Sequence, residues 1–256
     1  MGERRTFANR YAISVRRVVA SERTETADMQ LGITLTFVAG AINAGGFLAV
    51  GQYTSHMSGI FSAMADNLAL GAFGLVVLGL GAFVPFIVGA ACSAMLINWG
   101  RRQRRGSQYA LPLTLEAVLL LCFGIFGVIF RPTPESGLAA VPLLTFIMGL
   151  QNATVTKISG ARMRTTHITG IVTDIGIELG KLFYWNRLAS EPERPAVMAD
   201  RRKLRLLSSL LGSFFAGGVL GALGFKYIGF LACVPLALLL LALVLPSLAQ
   251  DMKPQR

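Results

Sequence analysis

Charge is scarce in this chain. Only 14% of its 256 residues are charged while 54% are hydrophobic, and the mean hydropathy of +0.60 excludes an ordinary soluble domain of this length. Histidine is scarcer still, with two copies, and cysteine occurs three times, at Cys92, Cys122 and Cys233. All three thiols fall inside apolar runs, where they pack as small hydrophobes, so neither a disulfide framework nor a metal site is expected. HExxH, GxSxG and paired-cysteine signatures are missing, which leaves an enzymatic reading thinly supported. A cleavable leader is not expected either, because Met1 to Asp28 holds six Arg and four acidic residues without a continuous apolar core. That stretch reads as a basic cytosolic tail drawn to anionic head groups, parts of which can form a surface helix.

What fills the chain instead is apolar runs of near-spanning length: Leu31 to Val50, Leu75 to Asn98, Leu111 to Phe130, Val141 to Ile158, Leu206 to Gly224 and Ile228 to Leu248. Two further segments, His56 to Leu70 and His167 to Phe183, are helix-compatible but shorter or more polar. The expected fold is therefore an all-α integral membrane protein of about six transmembrane helices plus two short re-entrant or half-helices.

Basic residues choose the topology. With the two short segments dipping in and returning, 21 of the 24 Lys and Arg fall on the cytosolic side: in the tail, Arg101 to Arg105, Lys157 to Arg164, Arg187 to Arg205 and the C-terminus. Were both segments to cross fully, eight basic residues would sit on the wrong face. Both termini are accordingly expected in the cytosol.

The short segments open on nearly the same words, Thr54-Ser-His-Met-Ser-Gly-Ile60 and Thr165-Thr-His-Ile-Thr-Gly-Ile171, which hold both histidines. Gly40, Asn43 and Ala44 match Gly149, Asn152 and Ala153 at an offset of 109, and the heptads match at 111. We read an internal duplication: residues 1–28 form the tail, 29–130 the first membrane repeat, 131–140 an external linker, 141–249 the second repeat with a cytosolic loop at 185–205, and 250–256 a cytosolic tail. Three crossings per repeat is an odd number, so the second copy is expected upside down relative to the first.

Such an inversion brings the heptads in from opposite faces, able to meet at mid-depth. Thr54 or Ser55, and Thr165 or Thr166, are suitable N-caps, and Gly59 and Gly170 permit close backbone approach. A half-helix beginning inside the membrane presents its positive dipole end to an anion or polar substrate. From His167, offsets of 7, 11 and 14 reach Asp174, Glu178 and Lys181, an ionisable stripe within about 60° on a helix. Charges at membrane depth mark a pathway, a relay or a neutralising pair, unless the segment has already emerged into the head groups. Asn43, Gln52, Gln151 and Asn152 add hydrogen-bonding groups near the heptads. Glu116, about two turns into its span, is expected to pair with an Arg at the cytosolic face or to line a cavity. Gly176 with Gly180, and Gly217 with Gly221 and Gly224, lie on single helix faces and suit internal packing or a homo-oligomer surface.

Met148-Gly-Leu-Gln-Asn-Ala153, Ile158-Ser-Gly160, Arg164-Thr-Thr-His-Ile-Thr-Gly170 and Thr173-Asp-Ile-Gly-Ile-Glu-Leu-Gly180 resemble the YoaK family of bacterial inner-membrane proteins, a domain of unknown function. The match is specific in this block and looser, by segment order, from Leu31 to Ala249. In the first repeat the family often reads close to N-M-T-G-N, where this chain has His56-Met-Ser-Gly-Ile60. The resemblance implies a polytopic inner-membrane protein and brings no substrate. From the residues themselves, the expected function is a small-solute or ion transporter or channel, whose pathway includes His56, His167, Asp174, Glu178, Asn43, Asn152 and Gln151. The alternatives are a non-transporting assembly or sensor protein and a membrane-embedded metal-dependent enzyme. No cofactor or metal is expected, and no nucleic acid, because the basic residues sit in short loops beside spans.

Overall fold

The computed structural model describes residues 25–103, 108–129, 136–159, 165–184 and 197–251. Most of the expected tails, the first half of the linker and most of the 185–205 loop lie outside the described residues, as do Arg162 and Arg164. Among the described residues there is no strand. The elements are α1 (Glu25–Val50), α2 (Met57–Ala69), α3 (Phe73–Arg102), α4 (Ala110–Ile129), α5 (Ser136–Ile158), α6 (Ile168–Phe183), α7 (Arg201–Ile228), a 3-10 turn (Gly229–Ala232) and α8 (Cys233–Asp251).

Helix is what such a sequence must form in lipid, because it satisfies every backbone donor and acceptor within the segment. Among the described residues five stretches are long and apolar enough to cross: Met29–Val50, Phe73–Arg102, Ala110–Ile129, Ala139–Ile158 and Arg201–Leu245. The last is 45 residues and holds both α7 and α8, broken at Gly229, whose φ of 60° ends α7. It therefore supplies the fifth and sixth of the expected spans. Several boundaries differ from expectation: residues 25–28, assigned to the tail, begin α1, and residues 136–140, assigned to the linker, begin α5. Residues 201–205, assigned to a loop, are the first turns of α7, because the Asp200 carboxylate accepts from the backbone N–H groups of Arg202 and Lys203, both at 2.9 Å.

The core is made by α1 packed on α7, α3 on α5, α1 on α5, and α4 on α8. Gln151 on α5 bonds to Leu35 on α1, while Leu144 on α5 lies beside Gly46 on α1. As the residue number rises on one helix it falls on the other, so α1 and α5 run antiparallel.

Four tetrads of the form Phe-x-x-Gly set the two closest crossings: Phe37 to Gly40, Phe86 to Gly89, Phe146 to Gly149 and Phe214 to Gly217. A Cβ on Gly40 would strike the Phe214 carbonyl, and one on Gly217 the Phe37 carbonyl, where α1 meets α7. The same exchange recurs where α3 meets α5, with Gly89 against the Phe146 carbonyl and Gly149 against that of Phe86. Between helices in lipid, where apolar burial gives little drive, backbone approach of this kind supplies the contact. Gly221 lies likewise against the Ala41 backbone, so the Gly217 face is internal, whereas Gly176 and Gly180 meet nothing within 4 Å.

Candidate functional site at the twin heptads

α2 has 13 residues and α6 has 16, about 20 and about 24 Å of helix, short of the roughly 30 Å hydrocarbon core. Each begins directly after its heptad histidine. In α2, Met64 touches Gly79 of α3 and the Phe61 ring meets that of Phe83 at a tilt, so the two form an antiparallel hairpin about the turn at Leu70–Ala72.

The heptads are fixed from behind. Asn43 Oδ1 accepts from the Ser55 hydroxyl at 2.8 Å and from its backbone N–H at 3.2 Å. At the equivalent place, Asn152 Oδ1 accepts from the hydroxyls of Thr166 at 2.9 Å and Thr165 at 3.2 Å, while its Nδ2 donates to the Met148 carbonyl at 2.9 Å. Asn43 lies seven residues before the end of α1, and Asn152 six before the end of α5. After each helix ends, the chain thus returns about 10 Å along it before the next helix starts.

Two expectations are corrected here. The N-cap positions are His56 and His167, with nearly equal backbone angles (φ −88° and −85°, ψ 64° and 56°) and no side-chain cap bond. Thr54, Ser55, Thr165 and Thr166 do not cap, because asparagine Oδ1 takes three of these hydroxyls and that of Thr54 has no partner. The first-turn N–H groups of both helices are therefore left without a side-chain acceptor. Nor do Gly59 and Gly170 admit another backbone. A Cβ at either would run into the ring of its own heptad histidine, so His-x-x-Gly is the space in which the imidazole lies over the helix start.

Both histidines are exposed, and among the described residues no hydrogen bond, ion pair or ring contact joins them. The heptad helices pack on different partners, α2 on α3 and α6 on α7. The meeting of the heptads expected from the sequence is thus not made by direct contact.

The stripe resolves into a junction. Glu178, 1% exposed, takes the Asp200 backbone N–H at 2.8 Å and the Lys181 ammonium at 3.0 Å, with Lys203 at 3.9 Å. Asp174 pairs with Lys203 at 3.5 Å, both partners half-exposed. The carboxylate of Glu178, on the non-spanning α6, is held below its ordinary range first by the Asp200 amide and then by the Lys181 hydrogen bond. Asp174 and Glu178 thus tie α6 to the start of α7, and His167 takes no part.

Gln151, fully buried, donates from Nε2 to the Leu35 carbonyl at 3.1 Å, leaving Oε1 without a partner. Thr54 Oγ1, equally buried, lies beside Gly46 and is also unpartnered. Two buried polar atoms, Thr54 Oγ1 at the first heptad and Gln151 Oε1 beside Asn152 on α5, are therefore without a hydrogen-bond partner. Sequence reading missed the Phe-x-x-Gly tetrads, although their spacing is visible, and missed Asp200 and Lys203, whose pairing with α6 has no local sign.

Comparison with known proteins adds one finding. A family model described as "Protein of unknown function (DUF1275)", a family that includes the YoaK proteins, matches residues 31–245. No curated protein and no solved structure matches the chain.

Proposed function

The chain belongs to the DUF1275 family, and from that premise we propose that it is a multi-pass bacterial inner-membrane transporter or channel for a small polar solute or ion. In this reading residues 29–130 and 141–249 are two copies in opposite orientation, with both termini cytosolic, and the protein moves solute without chemical change. The antiparallel run of α1 and α5, and the exchange of partners in the α1–α7 and α3–α5 crossings, support the inversion.

One observation carries the reading: two helices too short to cross start at matching asparagine-fixed heptads, each offering an exposed histidine and first-turn amides that no side chain caps. Irregular backbone at depth is tolerated where it is buried in protein or lines a watery cavity, and half-helix starts there bind anionic or polar groups. His56 and His167 are the gating or binding groups, with Asn43, Asn152 and Gln151 behind them. Asp174 and Glu178 hold α6 against α7, which sets the position of the second heptad.

Purified protein in liposomes, challenged with a panel of small ions and polar solutes, tests this. At least one solute should cross faster than in protein-free liposomes. The combined His56→Ala and His167→Ala variant should slow it about tenfold, equivalent to about 1.4 kcal/mol, and Asp174→Asn should slow it less, because its ion pair is half-exposed. Wild-type vesicles no leakier than empty ones to every solute, or an unchanged double variant, would overturn the proposal.

A further inference from the structure

α4 turns Leu113, Glu116, Ala117 and Leu120 inward at helical spacing, and three of these four belong to the apolar core. Glu116 is 0% exposed, and neither carboxylate oxygen has a hydrogen-bond partner. The expected arginine partner is not found among the described residues. The elements packed on α4 are α3, α5, the 3-10 turn and α8. Their titratable or charged groups are Cys92, Arg101 and Arg102 on α3, Lys157 on α5, and Cys233 and Asp251 on α8, with none in the turn. Arg101 bonds to Gln108, and Cys233 sits against Gly124, two turns along α4. No ion pair joins Arg101, Arg102 or Lys157 to Glu116. On α4 itself the other titratable group is Cys122, with Tyr109 just before the helix.

A carboxylate isolated in so apolar a place costs many kcal/mol as an anion, and a group in that position neutralises instead. A metal cation calls for several oxygen ligands, and no cluster of three or more His, Cys, Asp or Glu forms among the described residues to join Glu116 in supplying them. The proton is the one cation that needs no further ligand. We propose that Glu116 is an intramembrane proton-binding site, exchanging its proton with the aqueous face that carries Arg101 and Arg102. Glu116 lies six residues from the start of α4 at that face and thirteen from its far end, about 9 Å against about 20 Å, which selects the nearer side. This assignment stands apart from the transport reading, since it concerns occupancy and exchange rather than flux.

The test is infrared difference spectroscopy of the full chain in lipid, wild type minus Glu116→Gln, in H2O and D2O. The expected result at neutral pH is the carbonyl stretch of a neutral carboxylic acid, lost in the variant and shifted to lower frequency in D2O. Ionised carboxylate bands in its place, or an acid band indifferent to D2O, would overturn the site. Should the Gln variant fail to fold, the wild type alone decides. Dicyclohexylcarbodiimide, which adds to protonated carboxyls from an apolar phase, should mark the Glu116 peptide in native membranes. A Glu116 left unmarked, while a Phe126→Glu variant with an exposed position on the same helix is marked there, rejects it.

Discussion

A single asparagine in each half decides where its heptad sits. The same role falls to Asn43 and Asn152, which sequence comparison had already paired at one offset, yet the heptad hydroxyls looked like helix caps because cap preference is a local property. A tertiary acceptor overrides it here, and the histidine is left at the cap position with its ring over the glycine three residues on. That geometry predicts the effect of Asn152→Ala. The change leaves the Thr165 and Thr166 hydroxyls without their acceptor, a loss of about 1 to 3 kcal/mol for groups with little access to water. Thermal unfolding in detergent should show a clear fall in Tm, with Asn43→Ala producing a comparable one. An unchanged Tm in both would mean that the heptads are held by something other than these bonds.

Among the helices, length and type were legible in the sequence, since each apolar run gave a helix and the two polar segments gave short ones. Partnership was not. Nothing in a hydropathy pattern says that α1 lies on α7 or α3 on α5, although the four Phe-x-x-Gly tetrads, three of them already half-noticed as Gly40, Gly149 and Gly217, mark those contacts. Each glycine faces a carbonyl of a helix far away in sequence, so the signal exists only as a pair. α7 offers a controlled test within one helix. Gly217 abuts the Phe37 carbonyl, while Gly212 meets nothing within 4 Å. Gly217→Ala must push α1 and α7 apart, costing about 1 to 3 kcal/mol, whereas Gly212→Ala should be neutral or slightly stabilising through helix propensity. Equal Tm values for the two variants would show that the crossing is looser than the carbonyl contact requires.

Across the whole molecule the question is whether α2 and α6 turn back or pass through. Charge counting favoured return, with 21 of 24 basic residues on one side, and the short helices, the antiparallel α2–α3 hairpin and the asparagine-fixed heptads fit that choice. It leads to a sharp expectation about two exposed positions, Leu70 at the α2–α3 turn and Tyr184 after α6. Leu70 is preferable to its neighbour Gly71, whose φ of 72° would strain any side chain. In a background lacking Cys92, Cys122 and Cys233, Leu70→Cys should react with an impermeant maleimide from outside intact cells. Tyr184→Cys should react only after the cytosolic face is opened, because opposite orientation of the halves sends the ends of α2 and α6 to opposite sides. Both positions labelled from one side would remove the inversion, and Leu70 labelled only from the cytosol would make α2 a full crossing. In either case the heptads could no longer be paired half-helix starts inside the bilayer, and the transport reading would fall with them, while the proton site on α4, which depends on neither, would remain to be tested alone.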